Sequence, residues 1–137
     1  MFSKRYEDRL AAWRSFRESL ESSVDPIQDA IDFWNKAPIV NIAADPWDPE
    51  TWPDPWEMIE ENTYCEFLKI LAIMYTLQLT ERFSHDCFEI HIATTEEKRY
   101  YLLLINQRII GYENNTHIPQ NELPKLKLEK IKVANSD

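Results

Sequence analysis

Residues 66–79 read EFLKILAIMYTLQL, and the fold turns on how this stretch is read. Phe67, Leu68, Ile70, Leu71, Ile73, Met74, Leu77 and Leu79 leave almost no polar side on a helix, which predicts a central, buried one. The apolar run 67–79 contains Lys69, Thr76 and Gln78 and is thirteen residues long, too short and too polar to cross a hydrocarbon layer of about 30 Å. Two start signals precede it. Asp54-Pro55-Trp56-Glu57 offers a capping carboxylate, a proline where no backbone donor is needed, and a Glu at the third helical position. Thr63-Tyr64-Cys65-Glu66 repeats the form nine residues later. The core segment 55–84 is thus one helix or two, and the second signal favours a break or bend at Asn62 and Thr63.

Before this segment, residues 3–22 carry Tyr6, Leu10, Trp13, Phe16 or Arg17, and Leu20 at spacings of three and four, one face of an amphipathic helix. Glu7 to Arg9 and Glu18 to Glu21 read as its solvated side. Asp25 and Pro26 start a second helix through Ile27, Ala30, Ile31 and Trp34, ended by Pro38. The first helix packs on its own domain or docks on a neighbouring subunit.

After Ser84 the period changes to two. Phe88, Ile90 and Ile92 alternate with Cys87, Glu89 and His91, residues 99–105 form a strand apolar on both faces, and Asn106-Gln107 turns it into a third strand over 108–112. Gly111 within that third strand predicts a bulge or a close backbone approach. Residues 125–133 alternate Lys with Leu, Ile and Val and slip register at Glu129 and Lys130, as a fourth strand with a bulge or as an arm ordered only on a partner. The expected fold is α+β: N-terminal helices and a long central buried helix packed against a small antiparallel meander of three to four strands. Its parts are a helical hairpin (1–38), a Trp/Pro/acid-rich strap (39–54), the core helix (55–84) and the sheet with its basic C-terminal arm (87–133), all within one domain.

The strap and the start of the core segment hold the most unusual composition. Residues 45–57, DPWDPETWPDPWE, contain three tryptophans, four prolines and five carboxylates. Proline fixes φ and removes donors, so the middle of this stretch is neither regular helix nor strand. Trp47, Trp52 and Trp56 are therefore clamped on the protein's own body, offered to a partner, or divided between the two uses. Residues 37–68 hold eight carboxylates and no Lys or Arg, contributing −8 of the net −9; Asp45 and Asp48 open the series. Past Pro124 the sign reverses at Lys125, Lys127, Lys130 and Lys132. An acidic middle disfavours direct contact with nucleic acid or an anionic membrane and favours a basic protein partner, or serves solubility alone.

Other chemistry is largely excluded by composition. The 137 residues, 44% hydrophobic and 12% aromatic, suffice for a real core. With one glycine, no GxGxxG or GxxxxGK[ST] phosphate loop can be written. Two cysteines form no disulfide framework and the amphipathic start is unlike a secretory leader, so a reducing compartment is expected. His85, Cys87, Glu89 and His91 share one strand face, but alternate strand positions stand roughly 6.6 Å apart and no second chelating segment exists, so no metal or cofactor is expected. Cys65 near a helix start, with His91 as base and Glu89 as its acid, loosely resembles the order of transglutaminase-like and papain-like enzymes. The surrounding residues depart from those families, and a small core cysteine is the simpler reading. The pairs Glu60-Glu61 and Glu96-Glu97 read as solvated.

The order WPDPWE, YCEF, YTLQLTERFS, FEIHI and a Tyr- and Leu-rich strand ending in IIGY resembles a family of small uncharacterised proteins of contractile-tailed (myovirus) phages infecting marine cyanobacteria. The resemblance covers most of the chain, is weakest in the lysine-rich tail, and carries no residue roles. It implies a phage structural or assembly protein (a virion accessory, or a neck, tail or head adaptor) in contact with other virion proteins or with copies of itself. The alternative it leaves is an acidic protein that binds and modulates a basic host protein. Localisation would then be the virion or the cytoplasm of the infected cell. A cysteine-dependent enzyme is the third reading.

Overall fold

A computed structural model describes residues 1–40 and 44–134. Its helices are α1 (Tyr6–Ser19), α2 (Pro26–Trp34), α3 (Pro55–Glu61) and α4 (Glu66–Gln78), with a short 3-10 turn extending α1 over Leu20–Ser22. Its strands are β1 (Phe88–Thr94), β2 (Arg99–Ile105), β3 (Arg108–Ile110), β4 (His117–Pro119) and β5 (Lys127–Ala134). The fold is α+β, with one antiparallel sheet in the order β4-β3-β2-β1-β5.

Local chemistry accounts for most element ends. Asp25 accepts from the Gln28 backbone N–H and Pro26 follows it, starting α2. Asp54 and Glu57 form a reciprocal capping box at α3. The segment 55–84 is not one helix: Asn62 takes a left-handed conformation (φ 53°) and ends α3, and α4 begins four residues later. A type I′ hairpin turn matches strand twist with positive φ at both positions, and Asn106 (50°) and Gln107 (62°) supply it between β2 and β3.

α4 is the centre of the molecule. Phe67, Leu68, Leu71 and Leu77 are buried, and the other helices pack around it. Its one deeply buried hydroxyl binds three elements together. Thr76 Oγ1 accepts the indole N–H of Trp13 from α1 at 3.0 Å and that of Trp34 from α2 at 2.8 Å, while donating to the Ala72 carbonyl at 2.7 Å. One donor and two lone pairs are all a hydroxyl has, so the group is saturated.

Arg9, expected on the solvated side of α1, is buried instead. Its guanidinium donates to the carbonyls of Ile59 (3.0 and 3.1 Å), Glu60 (3.1 Å) and Lys4 (2.6 Å). The C-terminal carbonyls of α3 lack intrahelical donors, and a cation there also meets the negative end of the helix dipole. At the other end of α1, Glu21 accepts the backbone N–H groups of Glu81 (2.8 Å) and Arg82 (3.0 Å), and Arg82 donates to Leu20 and Ser23 carbonyls.

Five strands stand where three to four were expected. Strand β4 is only three residues long, too short for periodicity to show. The lysine-rich arm is strand β5, paired not with its predecessor but with β1 at the far edge; a register shift opposite Ile90 and His91 leaves Ile131 as the extra residue. The connection 120–126 must therefore traverse the sheet, roughly 19 Å for four strand spacings; a 3-10 turn over Gln120–Glu122 rises about 2 Å per residue and the four residues after it supply the rest. Leu123 and Leu126 lie over Ala93, Leu102 and Ile109 on the face away from the helices, while Phe88, Ile90, Leu103 and Ile105 of the opposite face join the helical core. Gly111 has φ +106°, and a Cβ there would overlap the Tyr101 carbonyl oxygen, the close approach that the lone glycine indicated.

Thr76→Val keeps the shape of the side chain and strands two buried indole donors. It is expected to lower the unfolding free energy by roughly 2–5 kcal/mol in urea titration, with Thr76→Ser costing about 1 kcal/mol.

Candidate protein-interaction surface

The strap is ordered by its own acids. Proline has no N–H, so in each Asp-Pro-Xaa unit the carboxylate reaches past it to a later donor. Asp45 accepts from Trp47 N–H at 3.0 Å, Asp48 from Glu50 at 3.2 Å, and Asp54 from Glu57 at 2.8 Å. The threefold Asp-Pro-Xaa spacing in the sequence is the signal that could have revealed this. Trp52 Nε1 donates to the Asp45 carbonyl at 2.9 Å and closes the loop. The Trp52 ring lies 5.0 Å from Phe67 of α4, and Tyr75 donates its hydroxyl to the Pro53 carbonyl at 2.8 Å. Burial, with the nearby Asp54 and Glu57 carboxylates, pushes Tyr75 up to about 12, so it remains a donor. Residues 41–43, within the strap as read from sequence, lie outside the described residues.

The three strap tryptophans thus divide. Trp52 is the clamp. Trp47 stays 41% exposed, its ring 5.5 Å from the Arg99 guanidinium, and Trp56 stays 47% exposed, edge-on to Trp13 at 5.5 Å. Arg17 lies over Trp13 (4.4 Å) and near Trp56 (5.9 Å). Burial lowers its pKa, and its Nε has no hydrogen-bond partner among the described residues. Trp, Tyr and Arg are the residues that dominate binding hot spots.

Asp45, Asp48, Glu50, Asp54, Glu57, Glu60, Glu61 and Glu66 belong to the same stretch of chain as Trp47 and Trp56. Among the described residues none of the eight forms an ion pair. Lys125 and Lys127 are exposed at the opposite end of the chain, Lys127 as the first residue of β5. A cavity of about 310 Å³ opens between the strap, α4 and β5, with Trp52, Tyr75, Glu57 and Lys132 in its wall.

Cys65 and His91 are not brought together. Cys65 is buried in the helix-side core at the start of α4, whereas His91 and Glu89 project from the other face of β1. There Glu89 Oε1 meets His91 Nε2 at 2.9 Å and Lys130 Nζ at 3.3 Å. His85 and Cys87 are exposed, and among the described residues no group of three or more His, Cys, Asp or Glu side chains is placed to hold a metal ion. No helix among them is long and apolar enough to cross a membrane. Compared with protein-family models, curated proteins and solved structures, the chain matches none of them.

The hydrogen bond from His91, aided by Lys130, outweighs burial and holds the Glu89 carboxyl below its ordinary 4.5. A depressed folded-state value stabilises the fold above the ordinary pKa, and the contribution fades as pH falls through the folded value. Glu89→Gln is expected to cost under about 1 kcal/mol at pH 6. The two urea curves should converge at a pH well below the Glu89 folded value, where the native carboxyl is also neutral.

Proposed function

We propose that this chain is a phage structural or assembly protein, a virion accessory or a neck, tail or head adaptor, that works by protein–protein contact in multiple copies. The observation that carries this reading is the pairing of Trp47 and Trp56, both about half exposed, with eight carboxylates that form no ion pair among the described residues. A monomer has little use for large aromatic rings held rigidly in water. Presented on a backbone pinned at Asp45, Pro53 and Asp54, they lose little entropy on binding, which is the main cost an interface must offset. The surrounding charge selects a basic counter-surface and speeds encounter with it. The lysines of β5 and the residues before it give a second copy, or another virion protein, such a surface. The phage context itself rests on the sequence resemblance.

One other reading keeps the same surface and changes the partner: an acidic protein that binds and modulates a host protein. The unpaired −8 of residues 37–68 favours it equally, since a basic host surface would neutralise that charge as well as a virion protein would. Cysteine chemistry is not proposed, because Cys65 and His91 belong to opposite sides of the sheet.

Mass spectrometry of purified particles is expected to find the chain. Its absence, with capture of a single host protein instead, would select the second reading. Trp47→Ala is expected to leave the unfolding free energy from urea titration within about 0.5 kcal/mol of native and to weaken partner binding at least tenfold, the loss typical of a hot-spot aromatic. A variant that unfolds while any surviving fold still assembles would make Trp47 structural and no more.

A further inference from the structure

A second cleft lies between α2, the first turns of α4, the start of β2 and the β3–β4 loop, and it meets the strap only at Arg99, which stands against Trp47. Its volume is about 340 Å³, within the range of small-ligand sites. The floor is apolar, formed by Ile31, Ile70 and Ile110, all buried. Lys69, Lys98 and Arg99 line it, and none of the three forms an ion pair among the described residues. Two of them are instead placed by aromatic faces: Lys98 Nζ stands 4.8 Å from the centre of the Tyr100 ring, and the Arg99 guanidinium 5.5 Å from that of Trp47. A ring face attracts the cation without occupying all its N–H donors, so each head is positioned but not neutralised. Glu66 and Glu113 also line the cleft, outside ion-pair distance of these cations. The cleft is thus net positive in a chain of net charge −9.

We propose that this cleft binds a small amphipathic anion, a molecule with one carboxylate, sulfonate or phosphate group and a compact apolar body. The anionic group meets Lys69, Lys98 and Arg99 through charge-assisted hydrogen bonds, and the body covers the isoleucine floor. A purely polar anion would leave that floor wet, and a neutral hydrocarbon would leave three cations unmatched.

The probe is anilinonaphthalene sulfonate, titrated into nitrogen-15-labelled native protein and followed by backbone amide shifts. Saturable shifts are expected at Lys69, Arg99 and Gly111, which share the cleft. The uncharged analogue phenylnaphthylamine is expected to bind at least tenfold more weakly, and Lys69→Met with Arg99→Met to raise the dissociation constant at least tenfold, while Lys130→Met on the far sheet face changes nothing. Shifts confined to the Trp52 and Tyr75 cavity, or equal binding of the neutral analogue, would overturn the proposal. Should the double variant fail to fold, the comparison of the two probes on native protein decides alone.

Discussion

The helical half of this protein depends on a single hydroxyl. Thr76 is fully buried within the most apolar helix, and its oxygen receives the indole donors of Trp13 and Trp34. An indole N–H left dry and unpaired costs roughly 1–3 kcal/mol, so two such rings can enter one core only where an acceptor waits for both. This fixes how α1 and α2 lie against α4 more tightly than apolar contact alone, which is tolerant of sliding. The consequences spread outward. With α1 in place, Arg9 reaches the carbonyl end of α3, and Trp13 and Trp56 form a T-shaped pair near the start of α3. The strap ends where α3 begins, at Asp54, so its geometry is inherited from the core rather than set by its prolines alone.

Local rules were readable where the cause is local. The cap at Asp25, the capping box at Asp54, the stop at Asn62, the turn at Asn106 and Gln107, and the constraint at Gly111 each follow from a few neighbouring residues. What stayed hidden has partners far away in the chain. Arg9 looked solvated because charge at a helix surface usually is, and three of its four hydrogen bonds go to carbonyls about fifty residues on. Thr76 looked like a mere interruption of an apolar run because its donors come from two other helices. The position of β5 beside β1 is a matter of topology, and Leu123 and Leu126 gave no period that would mark the chain crossing the sheet.

The candidate surface was legible in composition and illegible in geometry. Three tryptophans among prolines and acids pointed to a strap or a ledge; Trp52 is clamped, and Trp47 and Trp56 stay about half exposed. The acids carry a double task as well. Asp45, Asp48 and Asp54 hold the backbone by accepting from its N–H groups and form no ion pair among the described residues, so the same acids order the segment and set its sign. The pairing of Cys65 with His91 failed because strand alternation sends His91 to the far side of the sheet from the core that holds Cys65, a fact fixed by the parity of one residue.

The division of the five tryptophans is the central claim, and proton exchange at their indole Nε1–H groups tests it in one spectrum. Trp13 and Trp34 are expected to exchange only through global unfolding, Trp52 at an intermediate rate set by opening of the strap, and Trp47 and Trp56 fastest of all. Exchange of Trp13 or Trp34 as rapid as that of Trp47 would contradict the account, because the hydroxyl of Thr76 would then not be holding them.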